Sequence, residues 1–262
     1  MARVHAIRAL HRGLQVLEAL NGNNRALVSE VALATGLPRT TTFRLLENLR
    51  DAGYVERDDR DHRYFVTIQV RNLSRAFEDD AWVTDTAGPV LAALAGSLLW
   101  PVYLSTLFGT SMLIRATTTY ASPLAIDAVT PGTLVPLLTS GAGKAYLAFC
   151  GDEERRSLLG MLAKSTDPAH APARSPAKFG RTLREVRQRG YALDVKARMR
   201  RNPGRTTSIA VPVVGKSRVY GSLTLRYSDS AMPLARAVKR FHPVLARAAR
   251  QLGGELDQRR SS

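Results

Sequence analysis

Thr40, Thr41, Arg44 and Asn48 recur at intervals that gather two hydroxyls, a guanidinium and an amide on one side of a helix. Hydroxyls and arginine bond phosphate oxygens, while arginine can fork onto guanine and asparagine onto adenine in the major groove. Leu45, Leu46 and Leu49 fall on the other side and supply an inward apolar face. Ser29 and Arg39 just before this helix, and Arg60 and Arg63 just after it, complete the candidate DNA contacts. Far along the chain a second set alternates with a period of two. Ser208, Ala210 and Pro212 interleave with Ile209, Val211 and Val213, and Ser222, Thr224 and Arg226 interleave with Leu223 and Leu225. One face of such a strand pair is apolar; the other is small and polar with one arginine able to hold a carboxylate. The alternation fits a ligand face and a solvent-exposed face equally well.

The elements that must position the first set are readable. His5–Asn21 carries Ile7, Leu10, Leu14 and Leu17, the spacing of a helix with one apolar face, and Asn21-Gly22-Asn23-Asn24 closes it. Ser29 is the expected N-cap of a short helix over Glu30–Ala34, with Gly36 at its C-terminal turn. Pro38 suits the first turn of the next helix, expected from Arg39 to Ala52 and stopped by Gly53. Short helix, glycine turn and second helix form a helix-turn-helix. Tyr54–Arg57 and Tyr64–Ile68 then read as two strands joined by the polar turn 58–62, a wing whose tip is acidic on balance. A three-helix unit with a hairpin can also serve protein–protein contact, but with the wing attached the DNA reading is far stronger.

Ile68–Trp82 is expected to be a connecting helix, with a boundary near Asp80. The fold class is α+β, in three parts: residues 1–68 as a winged helix-turn-helix domain, 69–82 as a linker helix and 83–262 as a second domain. In that last part a helix over Thr86–Ser97 precedes strands at Pro101–Leu107 and Met112–Thr117, with a third strand at Leu124–Asp127. Helices over Gly141–Cys150, Asp152–Ala163 and Lys178–Arg189, strands at Thr207–Val214 and Arg218–Tyr227, and a last helix from Pro233 complete an antiparallel sheet covered by helices.

Other constellations fail. Gly141-Ala142-Gly143-Lys144 lacks the glycine spacing and the following hydroxyl of a phosphate loop. The five histidines are scattered without an i,i+4 pair, so no metal site is supported and no cofactor is implied. Cys150, the single cysteine, reads as a packed small hydrophobe, and no catalytic serine–histidine–aspartate set assembles. Thr86 to Ile114 is free of charge, but Pro89, Gly96 and Pro101 break it, so a buried helix and strand are expected rather than a membrane span. Arginines and histidines interrupt the first twelve residues, which argues against a secretory leader and for the cytoplasm. The chain of 262 residues has a formal net charge of +16. Residues 151–262 hold 24 bases against 9 acids, outside the part expected to touch DNA. No phosphate-type motif accompanies that excess, so it reads as a solvated arginine-rich surface.

Several segments together resemble one family. Arg12-Gly13-Leu14-Gln15-Val16-Leu17, Val28–Ala32 followed by Thr35–Thr41, Arg44–Leu49 and Gly53-Tyr54-Val55 are similar to the opening helix, helix-turn-helix, recognition helix and wing of the IclR-type bacterial transcriptional regulators. Ser140–Ala145 and Arg189-Gly190-Tyr191 with Asp194 resemble two later motifs, so the likeness spans essentially the whole chain. It implies a linker helix that helps pair subunits into a homodimer or tetramer, a GAF-like effector-binding domain and a double-stranded DNA operator. It also implies a small organic acid effector, bound at positions matching Leu124, Asp127, Gly141, Ala142, Asp194, Ser208, Thr224 and Arg226. Ser208 replaces a cysteine of some relatives and Arg226 a small hydroxyl of others, so their small-acid specificity does not transfer. Trp100-Pro101-x-x-Leu104-Ser105-Thr106-Leu107 and Leu147–Cys150 resemble members that govern breakdown of hydroxyphenylpropionate and related aromatic acids, which implies an aromatic acid. The resulting expectation is a regulator, not an enzyme, whose effector shifts DNA occupancy or contact with RNA polymerase. The alternative is an enzyme of small-acid metabolism with a regulatory N-terminal module.

Overall fold

A computed structural model describes residues 7–74, 81–126, 129–196 and 205–261. Two compact units divide between Glu78 and Asp79. In the first, α1 (Arg8–Gly22), α2 (Val28–Thr35) and α3 (Arg39–Asp51) precede a hairpin of β1 (Val55–Arg57) and β2 (Tyr64–Val66). Their core is Val16, Leu17, Leu20, Val31, Leu46, Val55 and Tyr64. Leu46 is fully buried, and truncating such a side chain to alanine costs about 2–5 kcal/mol. Gly36, at φ +68°, makes the left-handed turn between α2 and α3. A bridge between Ala26 and Tyr64, which no sequence pattern announced, ties the chain before α2 to the wing.

Two expectations need correction here. Of the expected inward face of α1 only Leu17 is buried, with Val16 and Leu20 beside it, whereas Ile7, Leu10 and Leu14 are exposed. Ser29 is not the N-cap of α2. Leu27 holds that position, and its N–H donates to the Glu30 carboxylate at 2.8 Å, so a side chain reaching back replaces the hydroxyl cap. After β2 a 3-10 helix covers Ile68–Ser74. The rest of the expected linker helix, up to residue 80, lies outside the described residues.

The second unit begins with a π-helical turn, Val83–Ala87, running into α4 (Gly88–Ser97). Its elements continue as β3 (Val102–Phe108), β4 (Ser111–Thr117), β5 (Leu134–Pro136), α5 (Gly141–Phe149), α6 (Asp152–Ala163) and α7 (Pro176–Arg189). They end with β6 (Ala192–Lys196), β7 (Thr206–Val214), β8 (Val219–Ser228) and α8 (Leu234–Ser261). The six strands form one antiparallel sheet in the order β5-β4-β3-β8-β7-β6. The expected strand at Leu124–Asp127 is absent over its described residues. Pro123 and Leu124 form a turn, and the strand that pairs with β4 is β5. Proline there removes a ladder donor, and Ser122 Oγ instead bonds the Leu99 carbonyl.

The alternation of β7 and β8 resolves into two layers. Ile209, Val211, Val213, Leu223 and Leu225 pack with Trp100, Phe241, Leu245 and Leu252 in the core shared with α4 and α8. The opposite face lies toward α5, which packs through Ala142, Ala145 and Tyr146 against Ala210 and Val219. The charge-free stretch thus resolves into α4 and β3. No helix among the described residues is long and apolar enough to cross a membrane.

Candidate nucleic-acid interface and effector site

Helix α3 presents the first set outward. Arg39, Thr40, Arg44 and Asn48 are exposed and Thr41 is half-buried, whereas Leu46 and Thr42 are buried beneath them. Thr42 Oγ1 donates to the Pro38 carbonyl at 3.1 Å, which fixes the first turn. At the far end Glu47 accepts from the buried Tyr64 hydroxyl at 2.6 Å and pairs with Arg50, locking the helix to the wing. Burial and the Glu47 carboxylate push the Tyr64 phenol up to about 12. Thr41, Arg44 and Asn48 also border a groove of about 670 Å³ shared with Arg8 and Arg12 of α1. Asn48 Nδ2 donates to the Arg44 carbonyl at 2.7 Å, so an adenine contact requires its amide to turn away from its own helix.

The wing tip is less acidic than its composition. Arg25 pairs with Asp58 and, at 3.5 Å, with Asp61. Asp58 also accepts the Arg60 N–H, and the two contacts lower its pKa. Arg60 is exposed and stands ready for phosphate. Arg63 is committed elsewhere: its Nη1 donates to the Arg25 carbonyl at 2.8 Å and to Glu30 at 3.0 Å. Its guanidinium braces the wing against α2, a bond between residues 33 apart that spacing could not announce. Ser29 is exposed on the first turn of α2.

In the second unit the register places the candidates side by side. Asp194, Ser208 and Arg226 form one rung across β6, β7 and β8, and Ala192, Ala210, Thr224 and Tyr103 form the next, reaching β3. Gly141 at the start of α5 stands over both rungs. A Cβ added there would lie 3.4 Å from the Ala210 Cβ and 3.5 Å from that of Asp194. Ser140 caps α5 by accepting the Gly143 N–H at 3.0 Å. Lys144 Nζ donates to the Leu193 carbonyl at 2.6 Å, and burial lowers its pKa while Asp194 opposes the shift. Gly141, Ala142, Asp194, Ser208, Thr224 and Arg226 therefore converge. Leu124 is exposed in its turn and shares none of these rungs, and Asp127 lies outside the described residues.

The face is covered, which removes the solvent-exposed alternative. Ser208, Thr224 and Arg226 are 3%, 0% and 6% exposed. Arg226 Nε and Nη2 donate to Thr206 Oγ1 at 3.3 and 3.1 Å, and Ser105 and Ser222 share a bond of 3.0 Å one rung further on. Thr224 Oγ1 is buried without a hydrogen-bond partner among the described residues. Tyr103, Ser105 and Ser222 thus belong to the polar face; the alternation of β8 pointed to Ser222, and the pairing of β3 with β8 adds Tyr103 and Ser105. Cys150 is buried, and desolvation raises its thiol to about 11, so it is held as the unreactive thiol.

A winged helix-turn-helix followed by an antiparallel α+β unit defines a DNA-binding regulator. Family profiles agree. The IclR helix-turn-helix domain matches residues 9–59, and the bacterial transcriptional regulator IclR C-terminal domain matches residues 79–253. The chain belongs to the IclR family of bacterial transcriptional regulators. It is 25% identical to the Pca regulon regulatory protein of Pseudomonas putida over 95% of this chain and 84% of that protein. It is 28% identical to the acetate operon repressor of Salmonella typhimurium over 72% of this chain and 69% of that one. Among solved structures the Thermotoga maritima IclR superposes with TM-score 0.60 at 20% identity, covering 95% of this chain and 98% of that chain. An IclR homolog from Microbacterium hydrocarbonoxydans, complexed with 4-hydroxybenzoate, gives 0.57 at 20% identity, covering 94% and 97%.

Proposed function

We propose that this regulator senses a small organic acid, aromatic in character, held against the Asp194–Ser208–Arg226 rung of its C-terminal unit. The observation that carries the reading is Thr224 Oγ1, a hydroxyl with no exposure and no hydrogen-bond partner among the described residues, one rung from the buried Arg226. A hydroxyl left so costs stability unless a guest completes it. Arg226 would fork onto the carboxylate, Ser208 and Thr224 would fix its orientation, and Gly141 and Ala142 would leave room for the ring. Asp127 joins this set on the family likeness alone. The aromatic character rests on two relatives: one is named for the Pca regulon and the other is complexed with 4-hydroxybenzoate.

DNA contact is assigned to Arg39, Thr40, Thr41, Arg44 and Asn48 of α3, with Ser29 and Arg60 on phosphates. One such unit per chain reads a two-part operator only as a homodimer or tetramer, with half-sites about one helical turn or a multiple apart. The exposed Ile7, Leu10 and Leu14 offer an apolar stripe for that pairing. The effector acts by binding two arrangements of the dimer unequally, which shifts operator occupancy or contact with RNA polymerase in the cytoplasm. The chain turns nothing over. A thermal-shift screen of aromatic and aliphatic acids tests the reading, since a specific ligand raises the melting temperature by mass action. The expected hit loses its shift in Arg226→Ala and is recovered chemically unchanged after long incubation. A normal shift in Arg226→Ala, or a hit converted to product, overturns it.

A further inference from the structure

A second recess lies elsewhere in the same unit. The ladder between β3 and β8 runs only from Val102↔Leu225 to Ser105↔Ser222. At Gly221 the backbones press together, since a Cβ there would lie 2.2 Å from the Ser105 carbonyl oxygen. Beyond that point the strands part. Thr106 and Leu107 stand on one side and Val219 and Tyr220 on the other, bordering an open cleft of about 400 Å³. That volume falls within the range of small-molecule sites. Its inner surface is apolar and aromatic: Tyr146 and Leu256 are buried, and Trp82 is half-buried.

The charges converge on the same space. Arg115, Arg218 and Arg259 line it, Arg115 with an interaction of its own, and the one carboxylate among its described lining residues, Glu154, already accepts the Tyr146 hydroxyl at 2.6 Å. Asp257, close by, is taken by the Tyr220 hydroxyl at 2.9 Å and the Lys216 N–H at 2.6 Å. Arg259 is held by Asp85 at 3.0 Å. Arg218 lies 5.4 Å above the Tyr220 ring and makes no ion pair with a described carboxylate. Three guanidinium groups from separate elements, above an aromatic floor, match a doubly charged oxyanion carried on a ring.

We infer that the cleft where β3 and β8 part is a second small-molecule site, distinct from the Asp194–Ser208–Arg226 face, that takes an aryl dianion through Arg115, Arg218 and Arg259. The dianion is a phosphate monoester or a dicarboxylate; both offer paired oxygens to the guanidinium forks. The test is calorimetric titration of the full chain with phenyl phosphate and with phthalate, using benzoate as the singly charged control. At least one dianion binds saturably and more tightly than benzoate, and which one it is identifies the head group. Arg218→Ala, a change at an exposed rim residue, weakens that binding at least about tenfold, the worth of a charge-assisted hydrogen bond. Arg226→Ala leaves it intact. Binding also changes tryptophan emission, and Trp82→Phe removes the change. The inference is overturned if neither dianion binds, if Arg218→Ala binds as well as the parent, or if Arg226→Ala alone abolishes binding. That last result places the guest on the sheet face, so failure here leaves the effector reading standing.

Discussion

Thr224→Val separates stability from ligand response at a single atom. The side chain sits in the middle of β8 with no exposure, its Oγ1 has no described partner, and valine has nearly the same shape. A hydroxyl buried without a partner costs about 1–3 kcal/mol relative to its solvated state. Exchanging it for a methyl group therefore does not destabilise the ligand-free protein and is expected to raise its stability by about 1 kcal/mol. In a unit of this size that corresponds to roughly 2–4 °C in Tm. An acid bound as proposed loses a hydrogen bond in the same variant, worth about 0.5–1.5 kcal/mol, or about a two- to tenfold rise in Kd. Thermal melts of parent and variant, alone and across a titration of 4-hydroxybenzoate or the acid found by screening, read both effects. A Thr224→Val protein that melts lower while its ligand titration is unchanged refutes the reasoning, because the hydroxyl must then be bonded within the protein.

Gly143→Ala should be severely destabilising, since the added Cβ would lie 2.0 Å from the Leu137 carbonyl oxygen; loss of soluble protein or a much lower Tm checks it. Tyr64 adds a pH dependence: its pKa rises from 10.0 to about 12 on folding, so its share of stability is whole below pH 10 and is lost as pH climbs toward 12. Denaturant melts from pH 9 to 12 should show that loss in the parent and a smaller one in Tyr64→Phe. Arg60→Ala should weaken binding to all DNA sequences alike and reduce the salt slope by about one, measured by anisotropy across salt concentrations.

Much of this architecture is legible in the chain because local chemistry and tertiary packing agree. Gly36, Pro38 and Gly53 bracket α3 as turn chemistry requires, and the period of β7 and β8 separates the core face from the polar one. Where non-local contacts decide, the residues alone mislead. The apolar spacing of α1 marks a stripe, but Leu10 and Leu14 find no cover in their own unit, and burial shifts to Val16 and Leu20. Arg63 looks like a free cation until the fold brings Glu30 beside it. The strand β6 escapes notice because Ala192–Lys196 is short and half-polar, and pairing with β7 makes it a strand. Whether the polar face meets water depends on α5 closing over it, which alternation cannot encode. Part of the basic excess of the last third goes to structure: Arg155 donates to the Leu147 and Cys150 carbonyls at the end of α5, and Arg187 stacks over Phe149.

Base readout by α3 is tested most directly by sequence preference in Arg44→Ala. Parent and variant are compared for binding to an operator and to its single-base variants at fixed salt. The expected result is a loss of about 1–3 kcal/mol on the operator, with discrimination relaxed at one base pair per half-site and retained elsewhere. A variant that binds more weakly yet keeps the parent's preference at every position, or one that binds as well as the parent, contradicts the assignment of this helix to the major groove.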